Sequence, residues 1–158
     1  MSTPTIIAAG IGSVEGYESV FFTPDQISGV WEELEALLLP ATEKGHGELT
    51  LGHVKALLEA GRFTALATIR KDVMELAVVT EFVQFPSYKS LRVVFAGGKH
   101  VAQAMHEFMP AFTEWVLANG AVEIEAWAPD QKLTQFYEWL GFKQAYTINR
   151  IDLRGKLQ

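Results

Sequence analysis

The chain has 158 residues, 49% of them hydrophobic and 20% charged, which is enough for one domain with its own core and too apolar for a disordered protein. Thirteen Lys and Arg stand against 19 Asp and Glu, and a net charge of −6 argues against nucleic-acid or anionic-membrane binding. The absence of cysteine excludes disulfides, thiolate nucleophiles and cysteine-ligated zinc. With no membrane-length apolar run and no basic signal region, we expect a soluble cytoplasmic protein.

The first part of the chain predicts an arm followed by a helix. Residues 1–16 are rich in small residues, and we interpret them as an N-terminal arm or edge strand ahead of a single domain over residues 17–158. Thr23 and Gln26 have the spacing of a capping box, so a helix is expected to begin there. Pro40 is expected to end that helix.

The middle of the chain changes from helical to strand periodicity. Thr50 is the predicted cap of a second helix, which Gly61 closes. Apolar and polar residues then alternate, and β-branched residues are frequent, over 62–69, 73–85 and 91–96. These three runs predict an antiparallel meander.

The last part of the chain alternates helices and strands. A helix is expected over 101–119, with Pro110 causing a kink or dividing it into two. A strand at 121–127, a helix at 130–140 and a final strand at 142–153 follow. The fold class is therefore α/β (an α+β mixed sheet): a mostly antiparallel central sheet flanked by helices, with a right-handed β-α-β crossover.

A seven-residue motif gives this order of elements a family resemblance. The run Phe136-Tyr137-Glu138-Trp139-Leu140-Gly141-Phe142 matches FYxxxGF, the C-terminal signature of the GNAT N-acetyltransferase superfamily. The runs 77–86, 91–98 and 115–121 resemble small GNAT-like proteins encoded by tailed phages and prophages, some of which are virion components. The resemblance implies a GNAT-like fold and acetyl-CoA as co-substrate.

The expected acyl-CoA diphosphate site is the corner after the third meander strand. The resemblance places it at Gly97, Gly98, Lys99, His100 and Val101, where backbone amides at a helix N-terminus bind anions. The family's Q/R-x-x-G-x-G/A loop is absent here, and Asp130 replaces a common Asn in the last helix. The alternative is an ordinary Gly-Gly turn joining strand to helix.

The resemblance also implies two catalytic groups. Tyr137 matches the general acid that protonates the leaving thiolate, and Glu81 is the chosen candidate for the base that deprotonates the amine. Glu75 lies six residues before Glu81, which predicts one shared face. The alternatives are a packing tyrosine and a solvated glutamate stripe.

Two functions remain open from the sequence. The first, which is favoured, is an enzyme: an acyl-CoA-dependent N-acyltransferase that acts on a small-molecule or protein amine. The second is a catalytically inactive GNAT-fold phage protein that serves as a virion component or binds a host protein. Neither function predicts a metal, a nucleic acid or a membrane as partner. A homodimer, or a complex with a phage or host protein, is left open. The location, in the host cytoplasm or in the virion, is also left open.

Overall fold

A computed structural model describes residues 9–14, 17–44 and 48–156. The described residues form six strands and four α-helices. They are β1 (Ala9–Val14), β2 (Tyr17–Phe22), α1 (Ile27–Glu43), α2 (Leu51–Glu59), β3 (Thr64–Arg70), β4 (Val73–Gln84), β5 (Lys89–Gly98), α3 (Val101–Ala118), β6 (Glu123–Ala126) and α4 (Gln131–Leu140). Short 3-10 turns occupy Pro24–Gln26 and Arg154–Lys156. None of the described helices is long and apolar enough to cross a membrane.

The sheet is mixed, and this prediction is confirmed. Six strands lie in the order β1 to β6; neighbours are antiparallel as far as β5, and β5 and β6 are parallel. β1 falls within the predicted edge strand, whereas residues 1–8 and 15–16 lie outside the described part of the chain. The handedness expected of the crossover through α3 stays a prediction.

Helices cover both faces of the sheet. α1 and α2 pack on one face, which we call the α1 face, around side chains such as Leu34 and Leu38 that have no solvent exposure. α3 and α4 cover the opposite face, where Phe108 and Phe112 stack at 4.9 Å between ring centroids. Each fully buried side chain of this size contributes about 1.5–3 kcal/mol, so the two clusters fix the sheet between its helices.

The capping of α1 agrees with expectation, whereas Pro40 and one of the two alternatives for Pro110 do not. The Thr23–Gln26 capping box forms, with the Thr23 amide donating to Gln26 Oε1 at 2.9 Å. Pro40, however, lies inside α1, which continues to Glu43, because the loss of one amide donor does not stop the residues after it from bonding the carbonyl oxygens of the preceding turn. Pro110 likewise lies inside α3, a single helix from Val101 to Ala118, so the division into two helices is wrong.

The final strand expected over residues 142–153 does not form. Among the large apolar residues of this segment, Tyr146 and Ile148 stand at even-numbered positions, and Ile151 and Leu153 stand at odd-numbered positions. Because alternate side chains of a strand point to opposite faces, no regular strand would bury all four on one side. Residues 142–153 form neither a strand nor a helix, and we call them the post-α4 segment.

Candidate functional site

β5 and β6 stay together for only part of the length of β5. The pairing covers Ser90–Val93 and Glu123–Ala126, after which β6 ends and β5 continues through residues 94–98 with β4 as its neighbour on the other side. Val79 pairs with Phe95 but Thr80 pairs with Val93, so Val94 is the extra residue of a bulge at this point. A bulge bends its strand, and the open side of β5 leads directly to the N-terminus of α3.

The paired glycines belong to β5 and are packed against backbone. Gly98 and Gly97 pair with Leu76 and Ala77 of β4, so they end the strand instead of forming a separate turn. A Cβ on Gly97 would stand 2.1 Å from the carbonyl oxygen of Leu37, and one on Gly98 would stand 2.1 Å from that of Glu75. Both positions need glycine for close packing of the protein on itself.

The β5–α3 corner offers fewer free amides than the sequence suggests. The Lys99 amide donates to the carbonyl oxygen of Glu75 at 2.9 Å, so it is not available to an anion. His100 makes the turn in the left-handed conformation, with φ 52° and ψ 47°. The amides of Val101 and the next two residues start α3 and have no acceptor within the helix. The predicted corner residues thus lie together, and the backbone amides that lack an acceptor are those of the first turn of α3.

Tyr137 lies in the cap that ends α4. Gly141 adopts the left-handed conformation (φ 105°), and the Phe142 amide donates to the Tyr137 carbonyl oxygen at 3.0 Å. The rings of Tyr137 and Phe142 are 5.2 Å apart, which completes the hydrophobic contact typical of this Schellman cap. The FYxxxGF motif therefore has a packing role whether or not it has a catalytic one.

The environment of Tyr137 favours its neutral form. Burial raises the pKa of Tyr137 to about 12. The phenol therefore keeps its proton throughout the neutral range and can donate a hydrogen bond. The same shift moves it away from the operating pH at which a general acid is most effective.

Glu81 lies in a row of charged side chains across three strands. Arg92 stands opposite Glu81 on one side and Glu125 on the other. Arg92 Nη1 lies 3.7 Å from Glu81 Oε2, and Arg92 Nε makes a short contact with Glu125 Oε1. The guanidinium also lies 4.9 Å from the centre of the Trp127 ring. We call these four residues the Arg92 cluster.

The Arg92 cluster is next to the point where the strands part. The Arg92–Glu125 row comes one row before the last pair, Val93 and Ala126. The side chains of Glu81 and Arg92 are each 26% exposed, so the cluster is partly open to solvent. Arg92 holds Glu81 less closely than it holds Glu125.

Sequence reasoning gave no role to Arg92, the residue at the centre of this cluster. Arg92 is the only charged residue in the predicted strand 91–96, and a lone cation in an apolar strand was the available signal. The prediction that Glu75 and Glu81 share a face of the sheet is wrong. Leu76 pairs with Thr68 and Met74 pairs with Ile69, so Glu75 is the extra residue of a bulge that breaks the alternation. Desolvation and the neighbouring Glu75 carboxylate raise the pKa of Tyr17.

No protein-family model matches the chain, and no curated protein matches its sequence. Several solved structures, however, are similar to this chain in fold. An aminoglycoside acetyltransferase from an uncultured soil metagenomic sample, in complex with sisomicin, superposes with a TM-score of 0.66 at 10% identity, over 88% of this chain and 97% of the other. Ribosomal-protein-alanine N-acetyltransferase from Brucella melitensis biovar Abortus 2308 gives 0.64 at 12%, over 85% and 98%.

A predicted acetyltransferase with acetyl-CoA from Clostridium acetobutylicum gives a TM-score of 0.60 at 11% identity, over 90% of this chain and 99% of the other. Another structure of this kind, from Ralstonia eutropha JMP134, is a GCN5-related N-acetyltransferase with a TM-score of 0.58. The chain therefore has the GNAT fold, as the FYxxxGF motif and the order of elements predicted.

Proposed function

We propose that this protein transfers an acyl group, most simply acetyl, from acyl-CoA to a primary amine. The observation that carries the proposal is the parting of β5 and β6 after Val93 and Ala126, beside the start of α3. The open side of β5 offers backbone groups to an extended substrate, and the first turn of α3 offers amides to its diphosphate. The GNAT fold supports the same activity.

The cofactor arrangement differs from the one the sequence suggested. Gly97 and Gly98 shape the corner by packing on Leu37 and Glu75, and the Lys99 side chain is exposed at the corner. We assign the diphosphate to the amides of Val101 and the two residues after it, with the Lys99 ammonium as a point charge. His100 sets the direction in which these amides point.

The reaction needs one proton to leave the amine and one to reach the sulfur. The amine nitrogen attacks the thioester carbonyl carbon, the new C–N bond forms, and the C–S bond breaks to release CoA. Glu81 accepts the proton from the amine, and Tyr137 hydrogen-bonds the departing thiolate and supplies its proton. Holding the two substrates together contributes much of the acceleration.

A thiol-release assay tests this proposal cleanly, because the chain has no cysteine to react with a thiol reagent. Acetyl-CoA is incubated with a panel of amines, from aminosugars and polyamines to peptide N-termini. We expect amine-dependent thiol release and a fall in kcat of about 100-fold or more in Glu81→Gln. Glu123→Gln, an exposed glutamate on β6, is the matched control and should keep full activity.

Ligand binding is measured separately by thermal shift. Acetyl-CoA at about a hundred times its dissociation constant stabilises a protein by about 2.7 kcal/mol. Tyr137→Phe should retain this shift and lose turnover. The absence of any shift at millimolar acetyl-CoA and CoA would contradict the proposal.

The second candidate is a GNAT-fold protein without catalysis that serves as a phage virion component or binds a host protein. One observation favours it: both corner glycines and the FYxxxGF motif have complete packing explanations. Its location would be the virion or the host cytoplasm. Mass spectrometry of purified virions tests the virion role, and the role is wrong if the chain is absent from them.

A further inference from the structure

A small cavity lies between α3 and the sheet, on the face opposite α1. Residues of β2, β3 and α3 line it: Tyr17, Ser19, Thr68, Ala104, Glu107 and Phe108. Ser19 and Thr68 stand directly opposite each other in the β2–β3 ladder, and they are only 5% and 3% exposed. The cavity therefore separates one helix from two neighbouring strands, and polar side chains reach it from both sides.

Two buried polar atoms of the residues that line this cavity lack a partner. Thr68 Oγ1 and Glu107 Oε2 make no hydrogen bond within the part of the chain that the structure describes. The other carboxylate oxygen, Glu107 Oε1, accepts a hydrogen bond from Gln103 Nε2 at 3.3 Å. Because a buried polar atom without a partner is costly, both atoms call for a hydrogen-bonding group that the described chain does not supply.

The two atoms differ in the kind of hydrogen bond that they need. A threonine hydroxyl has one hydrogen to donate, whereas a carboxylate oxygen can only accept. The Thr68 hydroxyl could donate to Glu107, yet the structure has no hydrogen bond between them. A molecule that accepts from one group and donates to the other would complete both.

The size and lining of the cavity select that molecule. The space open to the centre of a water molecule is about 10 Å³, and one buried water needs about 10–15 Å³ by this measure. Four of the six lining side chains carry an oxygen, and a buried water uses two to four polar partners. Ca²⁺ and Mg²⁺ take about six or more oxygen ligands, which a cavity of this size cannot hold.

We propose that this cavity binds one water molecule as a resident part of the folded protein. The water accepts a hydrogen bond from the Thr68 hydroxyl and donates one to Glu107 Oε2, and its second hydrogen is directed at the Ser19 hydroxyl. Its partners belong to α3, β3 and β2, so the water ties the helix to the sheet. This polar link lies beside the apolar cluster around Phe108 that also joins them.

A crystal structure of the full chain detects the water directly. We expect one density peak within about 2.5–3.2 Å of both Thr68 Oγ1 and Glu107 Oε2. In solution, oxygen-17 relaxation dispersion counts the waters that stay bound for long times, and Thr68→Val should remove one. Ser90→Ala is the matched control, because Ser90 Oγ is also buried and lacks a partner among the described residues but Ser90 does not line this cavity. It should leave the number of long-lived waters unchanged.

Urea unfolding distinguishes a bound water from a dry cavity. Valine has nearly the shape of threonine but no hydroxyl, so Thr68→Val takes one partner from the water. We expect the equilibrium constant for unfolding to rise about fivefold. In a dry cavity the same substitution would remove an unpaired polar group, and the constant would fall.

Three results would overturn the proposal. They are a parent crystal without the density peak, a Thr68→Val protein that is more stable than the parent, and equal numbers of long-lived waters in the two proteins. The parent crystal decides alone if Thr68→Val does not fold. Unfolding in sodium, potassium and choline chloride at equal ionic strength should give one urea midpoint; a midpoint that depends on the cation would assign the cavity to a monovalent cation instead.

Discussion

Gly97 packs so closely on α1 that a Cβ there would stand 2.1 Å from the carbonyl oxygen of Leu37. That atom belongs to a helix backbone, which cannot turn aside as a flexible side chain can. We predict that Gly97→Ala lowers the free energy of unfolding by about 1–3 kcal/mol or more, because β5 and α1 must move apart. Urea unfolding measures the change.

Gly29 provides the control for this substitution. It lies in α1, and a Cβ on it would meet nothing within 4 Å. Gly29→Ala should therefore stabilise the protein by up to about 1 kcal/mol, as alanine does in an exposed helix. Equal effects of the two substitutions would show that the Gly97 contact is not tight.

Arg92 and Glu125 form the closer pair of the Arg92 cluster, with side-chain exposures of 26% and 17%. Partial burial strengthens a charge-assisted hydrogen bond. In a double-mutant cycle with Arg92→Ala and Glu125→Ala, we predict a coupling of about 1–3 kcal/mol in the free energy of unfolding.

The matched pair for this cycle is Lys55 and Glu59. These residues are one turn apart on α2, 3.7 Å from each other and more than 40% exposed. Their coupling should be only about 0.3–0.5 kcal/mol. A coupling of that size for Arg92 and Glu125 would mean that solvent screens the cluster fully.

Elements with a local signal were predictable from the sequence. Thr50 caps α2 and accepts a hydrogen bond from the His53 amide, and Asp130 caps α4 in the same way. Gly61 and Gly141 both have positive φ after helix ends. These signals act within one or two turns of chain, so no knowledge of the fold is needed to interpret them.

Features that depend on distant partners were not predictable. The bulge at Glu75 is defined by the register of β3 against β4, and the ion pairs of Arg92 join three strands. The failed strand over residues 142–153 has the same origin: strand propensity was present, but a strand also needs a neighbour. The close packing of Gly97 on the backbone of α1 was not predictable for the same reason, because Leu37 is distant from it in sequence.

Gly141 should be needed for the cap of α4 because its φ is 105°. We predict that Gly141→Ala costs about 1–2 kcal/mol in the free energy of unfolding, since a Cβ disfavours the left-handed region. Gly141→Asn should cost less, because asparagine tolerates that region better. Thermal unfolding of the two variants gives the comparison, and an equal loss in both would point to a steric cause instead.

The tyrosine at the end of α4 should titrate late. The pKa of Tyr137 is raised to about 12 by burial, above the value of about 10 for an unfolded chain. Ultraviolet titration of the tyrosinate should therefore lose a component with a midpoint near 12 in Tyr137→Phe. If the substitution instead removes absorbance change near pH 10, in about the amount that one exposed tyrosine gives, the Tyr137 phenol is not buried.

The same shift makes stability depend on pH in a definite direction. Because the unfolded chain releases the Tyr137 proton first, this residue's contribution is complete below about pH 10 and is lost as pH rises toward about 12. The urea midpoint of the parent chain should fall more steeply over this interval than that of Tyr137→Phe. Equal slopes of the urea midpoint against pH in the two proteins would contradict the raised pKa of Tyr137. Activity that persists to the same alkaline pH in both proteins would show that Tyr137 takes no part in the proton transfer.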